Sequence, residues 1–251
     1  RRTDPDAAAF CARSGASDRA AVSAFVRGVK DLGLWESMVC WPLRSEQNAG
    51  TGTTAYSLGG LGTFNGTLVN GPTWGANGIA FTDTTQVITR SGFDTPPSPM
   101  TFGAVNDKSN TAAVIRVRFW GVFPNRYSSA DSQFNRNIDV RNQNNTNYLG
   151  WPASAVNTDF IHKAISLTGN LTADAYFNGS FVSPNLVNVV LVGWDDASGA
   201  STELIGASNA SDATIRVAFF FATSGLAATA SQHAAFYTLY RATLGTGLSL
   251  P

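Results

Sequence analysis

The spacing of hydrophobic positions changes twice along this chain. In SDRAAVSAFVRGVKDLGLW, residues 17–35, Val22, Phe25, Val26, Val29 and Leu32 recur at intervals of three and four. That interval gathers them on one face of a helix, with Ser17 or Asp18 placed to cap it. The preceding DPDAAAFCARSG predicts a shorter helix: Asp4 caps, Pro5 sits in the first turn and Gly15 stops it. Pro42 ends this helical region.

From about residue 63 to about 225 the period falls to two. In VIRVRFW, Ile115, Val117 and Phe119 alternate with Arg116, Arg118 and Trp120; in LTADAYF, Leu171, Ala173, Ala175 and Phe177 alternate with Thr172, Asp174 and Tyr176. IRVAFFFA places Ile215, Val217, Phe219 and Phe221 on one side by the same rule, and VNVVLVGW, 187–194, is an almost continuous apolar strand. Asn178-Gly179 between Phe177 and Phe181 is a hairpin signal. NGTLVNGPTWGANGIAF, 65–81, reads as strand, turn and strand, broken by Asn-Gly and Gly-Pro pairs. Many short strands without intervening helices predict an antiparallel sandwich or barrel. After Gly225 the helical period returns: Ser231 caps, Ala235, Phe236, Leu239, Tyr240 and Thr243 share a side, and Gly245 stops the helix. The expected organisation is a helical leader over 1–45, a Gly/Thr-rich linker or long surface loop over 46–62, and a β-sandwich with its closing helix over 63–251.

Composition narrows the partners. Of 251 residues 43% are hydrophobic and only 14% charged, and Lys+Arg and Asp+Glu balance at 17 each. No net field attracts nucleic acid or an acidic membrane surface, and no apolar run reaches the ~20 residues of a bilayer span. Neither nucleic acid nor membrane is an expected partner. No signal-peptide pattern opens the sequence. Cys11 and Cys40 lack metal-ligand spacing, and a core of this size needs no staple, so two buried thiols are expected ahead of a disulfide.

The strand motifs carry a resemblance. NGTLVNGPTW…GIAF resembles the first hairpin of laminin-G-like, concanavalin A-like jelly rolls, AYFNGSFV (175–182) resembles a late hairpin of that fold, and 215–240 resembles its final strand and closing helix. The leader, DPDAAAFCAR…VSAFVRGVKDLGLWESM, is similar to that of a group of bacteriophage-encoded proteins with such a jelly roll behind it. The resemblance implies a mainly β, antiparallel two-sheet jelly-roll sandwich. It also implies a virion component, either a capsid decoration or head fibre or a tail-fibre module, with other virion proteins and copies of itself as partners in a homo-oligomer. Members that are glucanases use two Glu flanking an Asp at alternate strand positions. None of Glu36, Glu46 and Glu203 has an acidic residue two positions away, so that motif is absent.

Other chemistry is sparse. His162 and His233 are the only histidines. Ser231 precedes His233 by two residues but is placed as a helix cap, and His162, beside Phe160 and Ile161, reads as a partly buried ring with a hydrogen bond. No enzyme activity and no cofactor are expected. Laminin-G-like modules that hold calcium use Asp carboxylates and loop carbonyls. Asp83, Asp195 and Asp196 are the carboxylates placed for that ion here, and turn chemistry is the alternative for all three. RNQNNTNYLGWP, 141–152, combines amides with aromatics: Asn142, Asn144, Tyr148 and Trp151 form a candidate host-glycan site, against an Asn-rich loop anchored by Trp151. FDTPPSPMTF, 93–102, is a stiff segment, either an arm along a neighbour or a surface loop. The five Asn-x-Ser/Thr sequons reflect abundant Asn and Thr. Two short helices cannot stand alone. Phe25, Val29 and Trp35 therefore form an interface, with the sandwich itself or with a partner subunit.

Overall fold

A computed structural model describes residues 2–83, 85–89, 99–107, 116–122, 126–131, 138–141, 148–151, 160–169, 172–182, 185–187, 203–206 and 214–251. Helix α1 (Pro5–Ser14) starts as its sequence dictates. The Asp4 carboxylate accepts from the Asp6 amide at 2.9 Å, and Gly15, at φ 80°, turns its N–H back onto the Cys11 carbonyl. Helix α2 (Arg19–Asp31) is capped by Asp18, not Ser17: the Asp18 Oδ1 accepts from the Ala21 amide at 3.3 Å.

The strands follow in chain order: β1 (Met38–Pro42), β2 (Thr54–Ala55), β3 (Gly66–Val69), β4 (Ile79–Phe81), β5 (Val87–Thr89), β6 (Met100–Asp107), β7 (Arg116–Val122) and β8 (Arg126–Asp131). Then come β9 (Ile138–Arg141), β10 (Tyr148–Trp151), β11 (Phe160–Gly169), β12 (Thr172–Phe177), β13 (Ser180–Val182), β14 (Asn185–Val187), β15 (Glu203–Gly206), β16 (Ile215–Thr223) and helix α3 (Ala230–Ala242). Among the described residues every strand pairing is antiparallel. One sheet runs β1-β16-β6-β11-β12-β13 with β4 also on β16, a second runs β14-β10-β9-β8-β7, and a third runs β15-β5-β3-β2. Strand β15 lies beside β7, which sets the two smaller sheets edge to edge as one layer. The expected mainly β, antiparallel two-layer sandwich with helices at both ends of the sequence is what the chain forms.

The seven-stranded sheet is buried on both faces. On one, Phe102, Ala104, Ile165, Ala175, Val217 and Phe220 pack against Ala55, Leu68 and Ile88 of the third sheet, forming the sandwich core. On the other, Val105, Ala164, Tyr176, Phe219 and Phe221 pack against Phe10, Phe25, Val29 and Phe236 of the three helices. The strict alternation expected for β16 breaks here. A register shift between Val217 and Phe219 inverts its parity, so Ile215 and Val217 face the sandwich while Phe219 and Phe221 face the helices. Helix α2 approaches α3 at Gly28, where a Cβ would fall 2.3 Å from a Leu239 methyl. Cys11 and Cys40 are free, buried thiols, and burial pushes both upward in pKa.

Two further expectations change. Strands β3 and β4, read as one hairpin, belong to different sheets: β3 pairs with β2 and β5, and β4 with β16. The turn-rich stretch between them carries the chain across the sandwich, with one bridge from Thr73 to Ala80. The stretch read as a linker or a long surface loop is anchored by the buried Gln47, Asn48, Ala55, Ser57 and Leu58, with 51–53 exposed. Asn48 is buried, donating to the Pro42 and Tyr56 carbonyls at 2.7 and 2.9 Å while its Oδ1 accepts from the Ala49 and Tyr56 amides. Gln47 and Arg44 both donate to the Leu244 carbonyl at 2.9 Å, holding the chain beyond α3. One buried amide that satisfies four backbone groups replaces the apolar side chains the segment lacks. The apolar run 188–194 and the proline-rich stretch 93–98 lie outside the described residues.

Candidate functional site

The densest chemistry among the described residues lies between the seven-stranded sheet and α3. The helix begins at Thr229, not Ser231: Thr229 Oγ1 accepts from the Gln232 amide, and Gln232 Oε1 accepts from the Thr229 amide at 2.9 Å. This start aims His233, Phe236, Tyr237 and Tyr240 at the sheet and leaves Ala235 exposed. His233 Nε2 lies 2.8 Å from Ser166 Oγ on β11, which is 2.8 Å from Thr101 Oγ1 on β6. Ser166 Oγ also reaches the Ala228 carbonyl at 3.0 Å, while the Ala228 amide donates to Thr101 Oγ1 at 2.7 Å. The Tyr176 ring stacks on the His233 imidazole with centroids 3.7 Å apart.

The arrangement fixes the protons. A carbonyl only accepts, so the Ser166 hydroxyl donates to Ala228. Thr101, already accepting from the Ala228 amide, donates to Ser166. The remaining lone pair of Ser166 accepts from His233, whose Nε2 therefore carries a proton, and burial favours the neutral ring. Such an imidazole cannot take the serine proton, and Ser166 and His233 are both sealed from solvent. The contact fastens α3 to the sheet and is no nucleophile–base pair. Burial lowers the His233 pKa to about 4, in keeping with the neutral ring.

His162 departs further from expectation. It is completely buried, and neither ring nitrogen has a hydrogen-bond partner among the described residues. Its ring lies parallel to Phe221 at 6.0 Å, with Phe236 at 6.0 Å and Tyr237 at 5.5 Å. Burial, then the nearby His233, lowers its pKa to about 3. Its backbone ties the hairpin turn to β11: the His162 amide donates to Asn178 Oδ1 at 3.1 Å, and the Asn178 amide donates to the His162 carbonyl at 3.0 Å. Asn178 and Gly179 hold φ 49° and 76°, the hairpin turn expected from their sequence. A Cβ on Gly179 would lie 3.0 Å from Ala234 Cα, so the hairpin tip is wedged beneath α3.

The other candidates scatter. Phe25, Val29 and Trp35 are buried inside this chain; the Phe25 ring meets Phe219 at 5.5 Å and Phe236 at 5.8 Å. Of the two surfaces open to them, the sandwich itself covers them, and they offer nothing to a partner subunit. Asp83 is exposed and closes its own turn, accepting from the Thr85 amide at 2.7 Å, a bond that lowers its pKa. Asp195 and Asp196 lie outside the described residues, as do Asn142 and Asn144. Among the described residues no group of three His, Cys, Asp or Glu is placed to hold a metal ion. Tyr148 and Trp151 both fall on β10, between β9 and β14. They stand three residues apart on that strand, in unbroken register with β9. Sequence reading missed Phe181, at 54% exposure the one exposed large hydrophobic among the described residues, set edge-on to Tyr176 at 5.9 Å.

No protein-family model and no curated protein matches this sequence. Solved structures match it by fold. The binding domain of botulinum neurotoxin serotype D aligns at a TM-score of 0.56 with 9% identity, covering 82% of this chain and 52% of that one. Botulinum neurotoxin type C, whose cell entry depends on interaction with two ganglioside molecules, aligns at 0.50 with 10% identity, covering 82% and 52%. A mutant Trypanosoma rangeli sialidase displaying trans-sialidase activity aligns at 0.51 with 10% identity, covering 89% and 39%. This chain thus spans about half the length of the neurotoxin structures. At such identities the likeness is one of fold, and several of the proteins that share it are binding domains.

Proposed function

We propose that this protein is a non-catalytic glycan-binding sandwich carried on the outside of a bacteriophage particle, in a capsid decoration, head fibre or tail fibre. The observation that carries the non-catalytic reading is the sealed Ser166–His233 contact, whose protons run the wrong way for nucleophilic catalysis. The glycan reading is supported by the amides and aromatics of 141–152, five of whose twelve residues are in strand β9 or β10, and by the binding domains that share the fold. The virion setting is supported by the likeness of the leader to phage-encoded proteins; copies of the same chain and other virion proteins are the partners it implies. A purely structural role is the second reading. It is favoured by the helix layer, which closes the back of the sheet within one chain and makes a self-contained block.

A glycan array probed with the purified protein tests the first reading. Binding to a defined glycan class is expected. Tyr148→Ala or Trp151→Ala should weaken it by about tenfold or more, and binding unchanged in both variants would move the site away from β10. Silence across the array ends the glycan reading and leaves the structural one, which stands or falls on finding the protein in purified particles.

A further inference from the structure

We propose that α3 is an acid-released latch: on acidification it parts from the seven-stranded sheet together with the 178–179 hairpin tip, while the sandwich behind the sheet stays folded. The geometry concentrates the proton-sensitive groups in one seam. Both histidines of the chain lie there, one on β11 and one on α3, each buried at 0–1% exposure where a second proton is disfavoured. His162 has no acceptor for a second N–H among the described residues and is walled by Phe221, Phe236 and Tyr237. A protonated His233 would be stripped of solvent at 1% exposure, a cost that the attraction of the stacked Tyr176 face offsets only in part.

The charged groups around the seam give no relief. From α3, Arg241 sits over the Tyr237 ring at 6.0 Å; Arg44 acts on Tyr240; from β12, Asp174 acts on Tyr176. Among the described residues no carboxylate bonds either imidazole, and the two rings repel once charged. The hydroxyls of Thr101, Ser166 and Thr223 bond one another or nearby backbone, and Tyr176, Tyr237 and Tyr240 are held neutral by burial. Release of α3 is the movement that hydrates both rings. The hydrophobic cluster on the far side of the sheet holds no Tyr or Cys, and the buried Asp107 carboxylate on β6 answers acid with the opposite sign, its raised pKa of about 6 favouring the folded sheet as pH falls.

The sign follows from both histidines being held neutral. Folded values of about 3 and about 4 lie below the ordinary 6.5, so the closed seam is favoured fully above pH 6.5 and loses ground as pH falls toward the folded values. Amide hydrogen exchange on the full chain, with rates divided by the intrinsic rate at each pH, reads this directly. Between pH 6 and pH 4.5 the opening of α3 and of residues 178–182 should rise by about tenfold per pH unit for each histidine, with β6 and β16 still protected. The double variant His162→Phe, His233→Gln, which keeps an N–H for Ser166, should flatten that rise. If α3 and β6 lose protection together in the wild type, the latch does not exist; if the variant opens with the wild-type pH profile, the histidines do not drive it. The wild-type profile decides the first point even if the variant does not fold.

Discussion

The two faces of the seven-stranded sheet are built from different materials. Toward the second layer the core is Val39, Trp41, Phe102, Ile165, Val217 and Phe220, a cluster without Tyr or Cys. Toward the helices the sheet meets aromatics that carry polar heads, Tyr176 and Tyr240, the thiols Cys11 and Cys40, both histidines, and the Thr101–Ser166–His233 chain of hydrogen bonds. The first face needs only shape and hydrophobicity. The second must also place polar atoms, and a buried unpaired group costs ~1–3 kcal/mol; the His162 ring nitrogens and the Tyr240 hydroxyl have no partner among the described residues. On the proposed latch, acid acts at the second face and leaves the first in place.

The sharpest way to break this division is at the bulge in β16, where adjacent phenylalanines serve different cores. Phe219→Ala and Phe220→Ala should each cost about 3–5 kcal/mol by urea denaturation, since both rings are fully buried. Their local effects should differ. Phe219 borders Phe25, Phe236 and Tyr240, so its loss frees α2 and α3 first; Phe220 borders Trp41, and its loss loosens the sandwich. Hydrogen exchange on the two variants should show opposite patterns. Identical patterns would mean that the sheet carries one continuous core.

A smaller effect separates the two signs of acid response. Asp107, at the far end of β6, holds the Arg216 amide at 2.7 Å and its guanidinium at 3.0 Å, yet burial outweighs both and raises its pKa to about 6. A raised carboxylate works against folding above about pH 6, and the penalty lifts as pH falls from there toward the unfolded value near 3.8. Asp107 thus gains stability over the same range in which His162 and His233 lose it. Asp107→Asn cannot titrate, so the wild type should gain about 2–3 kcal/mol on it between pH 7 and pH 4. A constant difference between the two proteins across that range would show that Arg216 fully offsets the burial.

What the sequence disclosed follows from which signals are local. Asp4, Pro5 and Gly15 bracket α1 and the Asn178-Gly179 turn sits where expected, because caps and tight turns are decided by a few adjacent residues. The parity of β16 was not legible: FFF satisfies either face, and only pairing with β6 shows where the bulge falls. Nor was the packing of 46–62, because a buried Asn that bonds four backbone groups looks in sequence like any Asn in a polar loop. The inner face of α3 was read one position off, since His233 and Tyr237 count as polar in a periodicity yet are the residues it buries. Of the candidate glycan residues, sequence showed composition, while the placement of Tyr148 and Trp151 on one strand needed the strand bounds.

The smallest expected effect lies at the edge of the helix layer, where capping and charge can be told apart. Asp4 caps α1, accepts from Lys30 Nζ at 2.9 Å, and its own amide donates to Ser23 Oγ at 2.8 Å on α2. Burial pushes the Asp4 carboxyl up, but the Lys30 ammonium and the Ala7 and Asp6 amides outweigh it and leave its pKa lowered. Asp4→Ala removes cap and ion pair together and should cost about 1–2 kcal/mol; Asp4→Asn keeps a competent cap and loses only a partly exposed pair, so it should cost well under 1 kcal/mol. Both losses should appear in α1 and leave α3 untouched. Equal costs for the two variants would place the stabilisation in the Lys30 charge, making the leader, like the histidine seam, a part of the fold held by electrostatics.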